Sequence, residues 1–280
     1  MNTRESNVSE QAALWNGVAG QAWVDSQQLL DDILRPFEEL LVNATSNERA
    51  ERVLDVGCGT GSVTLALAER LRGTSRCAGI DISEPMLALA RRRAEQAGSS
   101  AEFLLGDAQT YAFEPASFDA MVSRFGVMFF DDSVAAFRNL RRALASGGRL
   151  RFVAWRSCEE NPFMTAAERA AAPLLPNLPP RRPDEPGQFA FADGERVRRI
   201  LEDSGWSKIA VDPVNIACQM PEAALNHYVT RMGPLGRALQ DADEQLRSEV
   251  IKKVRAAFDP YVHGTEVRFT TACWLVTALA

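Results

Sequence analysis

The sequence predicts an α/β protein built on a doubly wound, mostly parallel sheet. Short apolar runs, typical of buried strands, alternate along the chain with longer amphipathic stretches that are typical of helices. The first apolar run, residues 53–56, leads into three glycines at alternate positions, and a helix is predicted directly after them. Such a strand–turn–helix unit indicates the first crossover of a parallel sheet.

The glycine turn consists of Gly57, Gly59 and Gly61. Glycine lets the backbone come close to a ligand, and the free N–H groups at a helix start bind polar atoms. The turn therefore predicts a nucleotide site. A dinucleotide fingerprint, G-x-G-x-x-G, would need glycine where this chain has Ser62, so a nicotinamide dinucleotide is disfavoured.

The sequence Asp55-Val56-Gly57-Cys58-Gly59-Thr60-Gly61 resembles the first motif of class I (Rossmann-like) S-adenosylmethionine-dependent methyltransferases. In that family an acidic residue precedes the glycines, as Asp55 does here. The resemblance implies a Rossmann-like sheet of seven strands with the last strand antiparallel. It also implies S-adenosylmethionine (SAM) as cofactor, S-adenosylhomocysteine as product, and cofactor contacts from this motif, Cys58 included. For the glycines alone, an ordinary strand-to-helix turn remains the alternative.

The predicted second strand, residues 76–82, carries Asp81 near its carboxyl end. One carboxylate can accept hydrogen bonds from both vicinal hydroxyls of a ribose. We therefore predict that Asp81, with Ile82 beside it, binds the cofactor ribose. The alternative role, capping the next helix, is better suited to Ser83, which stands directly before Glu84 and a proline.

The predicted third strand, residues 101–105, is followed by Asp107 and Ala108. The resemblance implies that an acidic side chain at this place binds the adenine amino group. It also implies that a neighbouring backbone N–H binds a ring nitrogen. Asp107 and Ala108 occupy these two positions, and an amino group does need an acceptor.

The predicted fourth strand ends at Ser123, where the resemblance places the methionine part of the cofactor. We expect Ser123 to contact the cofactor, and Arg124 and Phe125 to line the acceptor pocket, whereas Phe129 and Phe130 are interpreted as core. Enzymes that methylate amino groups of nucleic-acid bases carry Asn/Asp-Pro-Pro-aromatic here. The Ser-Arg-Phe-Gly sequence of this chain disfavours that class.

Residues 9–45 are predicted to form N-terminal helices. Within them, the segment 15–23 resembles the N-terminal element of a small-molecule subgroup of these methyltransferases, whose first helices lie across the cofactor. Trp15 and Trp23 are therefore candidate cofactor contacts, with ordinary packing of a helix on the sheet as an equally open alternative.

The chain is predicted to be one methyltransferase domain, residues 1–280, with additions to its core. A proline-rich insertion follows the fifth strand and is expected to act as a lid. We therefore expect Trp155 and Phe163, at its start, in the substrate pocket. The predicted parts are N-terminal lid helices (9–45), cofactor-binding core (50–157), lid insertion (158–192), the rest of the core (193–214 and 266–280) and a helical cap (215–265).

Methyl transfer from a sulfonium to a nucleophile is a direct in-line displacement. Alignment and a dry pocket can supply much of the rate, and a general base is needed only for an acceptor that holds its proton tightly. The weak candidates for a base are His227, Tyr228 and His263, all in the cap. For each of the two histidines, a solvated side chain without a catalytic role is the favoured interpretation. No residue spacing suggests a metal site. We expect positioning and desolvation, with no metal and no identified base.

Composition sets the remaining expectations. The net charge of −6 disfavours a nucleic-acid partner. The five cysteines are scattered and show no C-x-x-C pattern, which favours free thiols in a reducing compartment. No apolar run approaches the length of a membrane span, and the N-terminus is polar. The expectation is a cytoplasmic protein, monomer or homodimer, without a membrane partner.

These observations together predict an enzyme of the EC 2.1.1 type. It would transfer a methyl group from SAM to a small-molecule acceptor, a metabolite or natural product, in a closed pocket. Two alternatives stay open: a methyltransferase acting on a protein or nucleic acid, and a SAM-binding protein without catalysis. The predicted lids and the acidic composition favour the small-molecule acceptor.

Overall fold

The computed structural model describes residues 3–46, 50–73, 75–178, 181, 185–240 and 242–280. Part of the proline-rich stretch of the insertion, residues 179–180 and 182–184, lies outside the described residues. The strands are β1 (Arg52–Val56), β2 (Arg76–Asp81), β3 (Glu102–Leu105), β4 (Phe118–Arg124), β5 (Leu144–Trp155), β6 (Ser207–Pro221), β7 (Val262–His263) and β8 (Glu266–Leu279).

These strands form one sheet in the order β3-β2-β1-β4-β5-β8-β6, with the two-residue β7 pairing with β8. The first five strands run parallel, and β8 lies antiparallel between β5 and β6. The predicted fold class is confirmed. Because the carboxyl ends of parallel strands meet at one edge of a sheet, the turns after β1, β2, β3 and β4 are neighbours.

Helices surround this sheet, and α4 and α5 follow β1 and β2 as predicted. Helix α1 begins at Thr3, earlier than the predicted start at residue 9, because its polar first turns carry no apolar period to signal a helix. Among the described residues, no helix is both long and apolar enough to cross a membrane. The helices are α1 (Thr3–Asn16), α2 (Val18–Asp25), α3 (Gln27–Ser46), α4 (Ser62–Arg70), α5 (Glu84–Ala97), α6 (Ser133–Ala143), α7 (Pro162–Ala171), α8 (Gly194–Asp203), α9 (Leu225–Arg231), α10 (Gly233–Ala238) and α11 (Glu244–Ala257).

The core beside the sheet is aromatic. Phe137 of α6, Phe152 of β5 and Phe191 of the insertion are fully buried, and their ring centroids lie 5.6–6.1 Å apart. On α6 the buried residues Ala136, Phe137, Leu140 and Ala143 recur with the helical period, as the sequence predicts. This packing fixes α6 and β5 and thereby the ends of the strands that border the site.

The sixth strand, β6, runs beyond residue 214, the predicted end of this part of the core. It continues to Pro221 and pairs with β8 along most of that length, so residues 215–221, expected in the helical cap, are strand instead. The signal was present: Val214, Ile216, Cys218 and Met220 alternate with more polar or smaller residues, which is the period of a strand.

The last strand, β8, has one buried and one exposed face in its first half. There Val267 and Phe269 are buried, whereas Arg268 and Thr270 are exposed. The reason is that β5 pairs only with the second half of β8, from Cys273 onward. The first half of β8 extends past the parallel strands and pairs there with β6 and β7, so one of its faces is exposed to solvent.

Candidate active site

The glycine turn follows β1 with left-handed backbone. Its three glycines have φ angles of +69° (Gly57), +55° (Gly59) and +86° (Gly61), which side-chain-bearing residues rarely adopt. The N–H groups of Gly57 and Cys58 donate to the carbonyl of Ile80, at 2.9 and 3.1 Å, which ties the turn to β2. The turn borders a surface cleft, called here the glycine cleft.

The glycine cleft brings together most of the predicted site residues. Two of the predicted cofactor residues, Gly61 and Ser123, lie behind it. Gly61 begins α4 and packs against Ala90 and Phe103. The predicted residues that line the cleft are Trp15, Trp23, Asp55, Gly57, Cys58, Gly59, Asp81, Ile82, Asp107, Ala108, Arg124 and Phe125.

Asp55 lies on the floor of the glycine cleft and is only 2% exposed. The hydroxyl of Thr64 on α4 donates to Asp55 Oδ2 at 2.8 Å. Burial raises the pKa of Asp55 to about 6, and the Thr64 hydrogen bond opposes that rise. The hydrogen bond between Asp55 and Thr64 therefore joins β1 to α4 beneath the turn. The carboxylate loses most of its hydration in this position.

Asp81 is buried at the end of β2, with each carboxylate oxygen accepting one backbone hydrogen bond. Oδ2 accepts from Gly59 N at 2.7 Å and Oδ1 from Ser83 N at 2.9 Å. Burial raises the pKa of Asp81, and these N–H groups oppose the rise. A carboxylate oxygen has two acceptor sites, so each can still accept a hydrogen bond from a diol.

Ser83 occupies the predicted N-cap position of α5 but makes no side-chain capping bond. Its hydroxyl donates instead to the carbonyl of Trp15, at 2.6 Å. The prediction of its position was right and that of its hydrogen bond was wrong, because the N-terminal helix offers a closer acceptor. Ser83 thus connects the end of β2 to α1.

Asp107 stands after β3 on the wall of the glycine cleft. Its Oδ1 accepts from Gln109 N at 2.9 Å, which fixes the turn that carries Ala108. Asp131 lines the same cleft and was not predicted. Burial raises the pKa of Asp131, and the negative charges of Asp107 and Glu10 raise it further. This part of the cleft is therefore rich in hydrogen-bond acceptors.

The N-terminal helix is tied to the end of β2 by side-chain hydrogen bonds. Asn16 Nδ2 donates to Ile82 O, and Glu84 N donates to Asn16 Oδ1, both at 2.9 Å. Asn16 was not singled out from the sequence, although it lies in the quoted segment 15–23. Gly20 makes a close approach possible here, since a Cβ on it would lie 1.9 Å from Trp15 O.

This tie places two tryptophans over the glycine cleft. The Trp15 ring meets Trp23 edge-on at 6.4 Å and Phe129 at 5.0 Å between centroids. Phe129 and Phe130, interpreted from the sequence as core, are half-buried: they pack against the core and also line the glycine cleft. Phe129 is the last residue of a short 3-10 turn, Gly126–Phe129, and Phe130 follows it.

Ser123 does not reach the glycine cleft, contrary to expectation. It is fully buried, its hydroxyl donates to Val56 O at 2.7 Å, and it accepts from Gly126 N at 3.1 Å. Ser123 therefore holds the β1 and β4 turns together. Arg124, expected in the substrate pocket, lines the glycine cleft instead.

Phe125 has a left-handed backbone, φ +66°, which turns its ring toward the interior. The ring stacks on Trp155 with 3.9 Å between centroids and 5° between planes, and it meets Phe37 edge-on. Phe125 lines the glycine cleft and also a second, larger space, called here the apolar cavity.

The apolar cavity has a volume of about 460 Å³. Its walls come from α2, α3, the insertion helix α7 and the cap helices α9 and α10. Trp155 and Phe163 line it, as expected, and Phe163 stacks on Phe269 with centroids 3.6 Å apart. Its charged groups include the ion pair of Arg181 with Glu168, 2.6 Å apart. The residues that line both spaces are Gln11, Trp15, Trp23, Phe125 and Phe129.

The three candidate bases lie in different places. His227 is exposed, with Nε2 2.9 Å from Ser26 Oγ, and His263 is exposed on β7. Tyr228 lines the apolar cavity, and burial raises its pKa to about 12. At neutral pH its hydroxyl is therefore protonated and can donate a hydrogen bond. Within the described residues, no group of three or more His, Cys, Asp or Glu is arranged to hold a metal ion.

A parallel sheet with a glycine turn after its first strand, and acidic residues at the ends of the next two, is the arrangement of Rossmann-like proteins, which bind ligands at the carboxyl ends of their strands. Residues 53–148 match the methyltransferase domain family. This stretch, which includes the glycine turn, Asp81 and Asp107, therefore resembles a methyltransferase domain.

Two curated relatives resemble part of the chain. A demethylmenaquinone methyltransferase of Thermus thermophilus is 41% identical over 109 residues, which cover 39% of this chain and 49% of that protein. The aklanonic acid methyltransferase DauC of a Streptomyces species is 33% identical over 122 residues, which cover 43% and 56%. The similarity thus spans about half the length of these relatives.

A solved structure extends the likeness of fold beyond that region. Phosphoethanolamine N-methyltransferase 2 of Haemonchus contortus, crystallised with S-adenosyl-L-methionine, aligns with a TM-score of 0.51 and 18% identity. The alignment covers 87% of this chain and 52% of that chain. At this identity the likeness concerns the fold.

Proposed function

We propose that this protein transfers a methyl group from SAM to a small, largely apolar acceptor. One observation carries the proposal: the glycine cleft and the apolar cavity share the wall formed by Phe125, Phe129 and Trp15. A nucleoside cofactor in the cleft would present its far end to that wall. An acceptor in the cavity would meet it there.

The residues of the glycine cleft fit such a cofactor. Asp107 would accept from the adenine amino group, and Asp81, with one acceptor site left on each oxygen, would accept from the ribose hydroxyls. The space beside Gly59 is open, since a Cβ there would meet nothing closer than Met86 Sδ at 3.8 Å. Bound SAM would supply an electrophilic methyl group on a positively charged sulfur.

The protein's own contribution would be alignment and exclusion of water. The stacked Phe125 and Trp155, with Phe129 and Trp15, surround the junction with aromatic surface. A weakly polar junction favours a reaction in which the sulfonium charge disappears, and fixed alignment removes much of the entropic barrier. No base is assigned, and Tyr228 is proposed as a hydrogen-bond donor to the acceptor.

The cavity supports a planar, largely apolar acceptor. Its volume, about 460 Å³, lies in the range of pockets for drug-sized ligands. Its aromatic side chains Trp155, Phe163 and Tyr228 offer flat surfaces. The two relatives are named for a demethylated menaquinone and for aklanonic acid, so quinone-like aromatic compounds are the first acceptors to test.

Two measurements test the proposal. S-adenosylhomocysteine should raise the Tm of the purified protein, whereas NAD should not. Labelled methyl from SAM should appear on a planar phenolic or quinone acceptor, with demethylmenaquinone and aklanonic acid included in the panel. Binding without transfer to any acceptor would favour a non-catalytic SAM protein, and transfer only to added protein or nucleic acid would favour the macromolecular alternative. Failure to bind either SAM or its product would overturn the proposal.

We also propose that residues 1–280 act as one domain and that the protein works in a reducing compartment such as the cytoplasm. One continuous sheet, with strands that span residues 52–279, supports the first point. The five cysteines, all free thiols, support the second.

A further inference from the structure

Arg237 of α10 differs from the other cations that line the apolar cavity. Arg181 donates from Nε and Nη2 to the two carboxylate oxygens of Glu168, at 2.7 and 2.6 Å respectively. Arg231 faces Asp25 of α2, with 4.0 Å between the charged groups. Arg237, in contrast, makes no hydrogen bond and no ion pair within the described residues. Its guanidinium is therefore available to a molecule in the cavity.

One end of the apolar cavity is polar, and Arg237 belongs to it. The start of α10 packs on the Arg181–Glu168 pair, since a Cβ on Gly233 would lie 3.7 Å from Glu168 Oε1 and 4.0 Å from Arg181 Nη2. The charges of this pair act both on Arg237 and on Tyr228. Because the two charges of the pair largely offset each other, they do not compensate the charge of Arg237.

The environment of Arg237 keeps its cation accessible but only partly hydrated. The side chain is exposed, as expected of a group that borders an open cavity. Burial nevertheless lowers the pKa of Arg237, the charge of Glu168 opposes that effect, and the charge of Arg181 adds to it. Glu185, the second carboxylate on the wall, has a partner of its own and forms no ion pair with Arg237. A partly dehydrated cation with spare donors binds an anion more strongly than a cation in bulk water does.

We propose that the acceptor carries an acidic substituent that binds Arg237 while the atom to be methylated lies at the junction with the glycine cleft. This inference rests on the proposed function. Phe125 and Phe129 form the junction and line both spaces, whereas Arg237 and Tyr228 line the apolar cavity and not the cleft. The acid bound by Arg237 is therefore remote from the transferred methyl group and is not itself methylated.

Such a remote contact would orient the acceptor. A carboxylate matches the fork of a guanidinium, and binding energy far from the reacting atoms can be used to align them. Trp155 and Phe163 would hold the aromatic body between the two ends. Arg237 is thus a specificity-determining residue, which distinguishes an acidic aromatic acceptor from a neutral one of the same shape. A free inorganic anion is the competing source of this chemistry, and it would bind without contacting the aromatic walls.

The test uses two fluorescent probes with the same aromatic body. These are 1-anilinonaphthalene-8-sulfonate and N-phenyl-1-naphthylamine, which lacks the sulfonate. Each is titrated with S-adenosylhomocysteine present, so that the glycine cleft is filled. Arg237→Gln should weaken the sulfonate about 10-fold, the scale of a charge-assisted contact, and leave the neutral amine unchanged. Arg237→Lys should lose less, because an ammonium keeps the charge and lacks the fork. Inorganic phosphate should not displace the sulfonate.

Arg231→Gln is the matched control, because Arg231 lines the same cavity and already faces Asp25. It should leave both probe affinities unchanged. Equal weakening of the two probes in Arg237→Gln would overturn the inference, and so would an equal loss of sulfonate affinity in Arg231→Gln. Displacement of the sulfonate by an equal concentration of inorganic phosphate would assign Arg237 to a free anion and overturn it too.

Arg237→Gln should fold with an unchanged Tm, because Arg237 makes no bond within the described residues. Should it not fold, the salt dependence of the wild type still decides. Added salt should weaken the sulfonate and not the amine, and equal changes would overturn the inference, as would failure of the wild type to bind either probe. Absence of S-adenosylhomocysteine binding would instead overturn the proposed function, and the same titrations without that ligand would still test Arg237.

Discussion

The backbone N–H of Gly59 donates a 2.7 Å hydrogen bond to Oδ2 of Asp81. The middle glycine of the turn is therefore held directly against the acidic residue at the end of the next strand. A ligand that binds the carboxylate must also meet the turn. This hydrogen bond sets the position of the turn relative to the Asp81 carboxylate. Substitutions at Gly59 and at Asp81 test the two parts one at a time.

Asp81→Ala should weaken S-adenosylhomocysteine binding by about 10- to 100-fold, because it removes a charged acceptor for the ribose hydroxyls. Asp81→Asn, which keeps one acceptor oxygen, should lose less. Asp119 provides the control, since its carboxylate pairs with Arg52 at the start of β1. Asp119→Ala should lower the free energy of unfolding and leave the affinity unchanged. Equal affinities for Asp81→Ala and the wild type, by calorimetry, would contradict the ribose assignment.

Gly59→Ala should separate backbone strain from blockage of the cleft. Gly98 has nearly the same left-handed φ, +59° against +55°, and a Cβ there would meet nothing within 4 Å. Both alanine variants should lose about 1 kcal/mol of stability to the left-handed backbone. Only Gly59→Ala adds a methyl group to the glycine cleft, so only it should lose affinity for S-adenosylhomocysteine. Chemical denaturation and calorimetry measure the two effects, and matched affinities would argue against binding at the turn.

Asn16→Ala should loosen the N-terminal helix by removing two hydrogen bonds, to Ile82 O and from Glu84 N. We expect S-adenosylhomocysteine to dissociate several-fold faster and the backbone amides of α1 to exchange faster. Gln28→Ala is the control, because the hydrogen bond of the exposed Gln28 side chain to Asp32 lies within α3. A dissociation rate in Asn16→Ala equal to that of the control would mean that the helix is not a lid.

Asp55 should make stability depend on pH. Its pKa of about 6 lies above the ordinary 3.8, so the folded state binds its proton more readily than the unfolded chain does. Its contribution to stability is thus complete below about pH 4 and is lost as pH rises through 6. Relative to Asp55→Asn, the wild-type free energy of unfolding should fall by about 2 kcal/mol between pH 4 and pH 7.5. Urea titrations at both pH values measure this. A pH-independent difference between the two proteins would refute it.

Replacing the candidate bases one at a time should separate Tyr228 from the two histidines. His227→Ala and His263→Ala should keep methyl transfer near the wild-type rate, because both side chains are exposed away from the cavity wall. Tyr228→Phe should lower kcat several-fold by removing a hydrogen-bond donor from the cavity. Loss of activity in a histidine variant that folds and binds SAM normally would show that a base is used after all.

The local parts of the site could be predicted from the sequence. Gly57, Gly59, Asp81 and Asp107 all lie in or directly after strands, and in a parallel sheet those ends must converge at one edge. A short motif therefore fixes both the conformation and the location of these residues. Ser123 shows the limit of this reasoning. It also lies at a strand end, yet its hydroxyl is consumed by Val56 O and Gly126 N.

Contacts between distant segments required the three-dimensional structure. Asn16 donates a hydrogen bond to Ile82 O. Arg124 Nη1 has no hydrogen-bond partner, and the charges that surround Arg124 include side chains of α3 and α5. The walls of the apolar cavity come from helices far apart in the chain. Sequence by itself determined the fold class of this protein and placed Asp81 and Asp107 at neighbouring strand ends, because both follow from short-range backbone chemistry. Only tertiary packing decided which polar groups stay free for a ligand, because that depends on what every neighbouring element already binds.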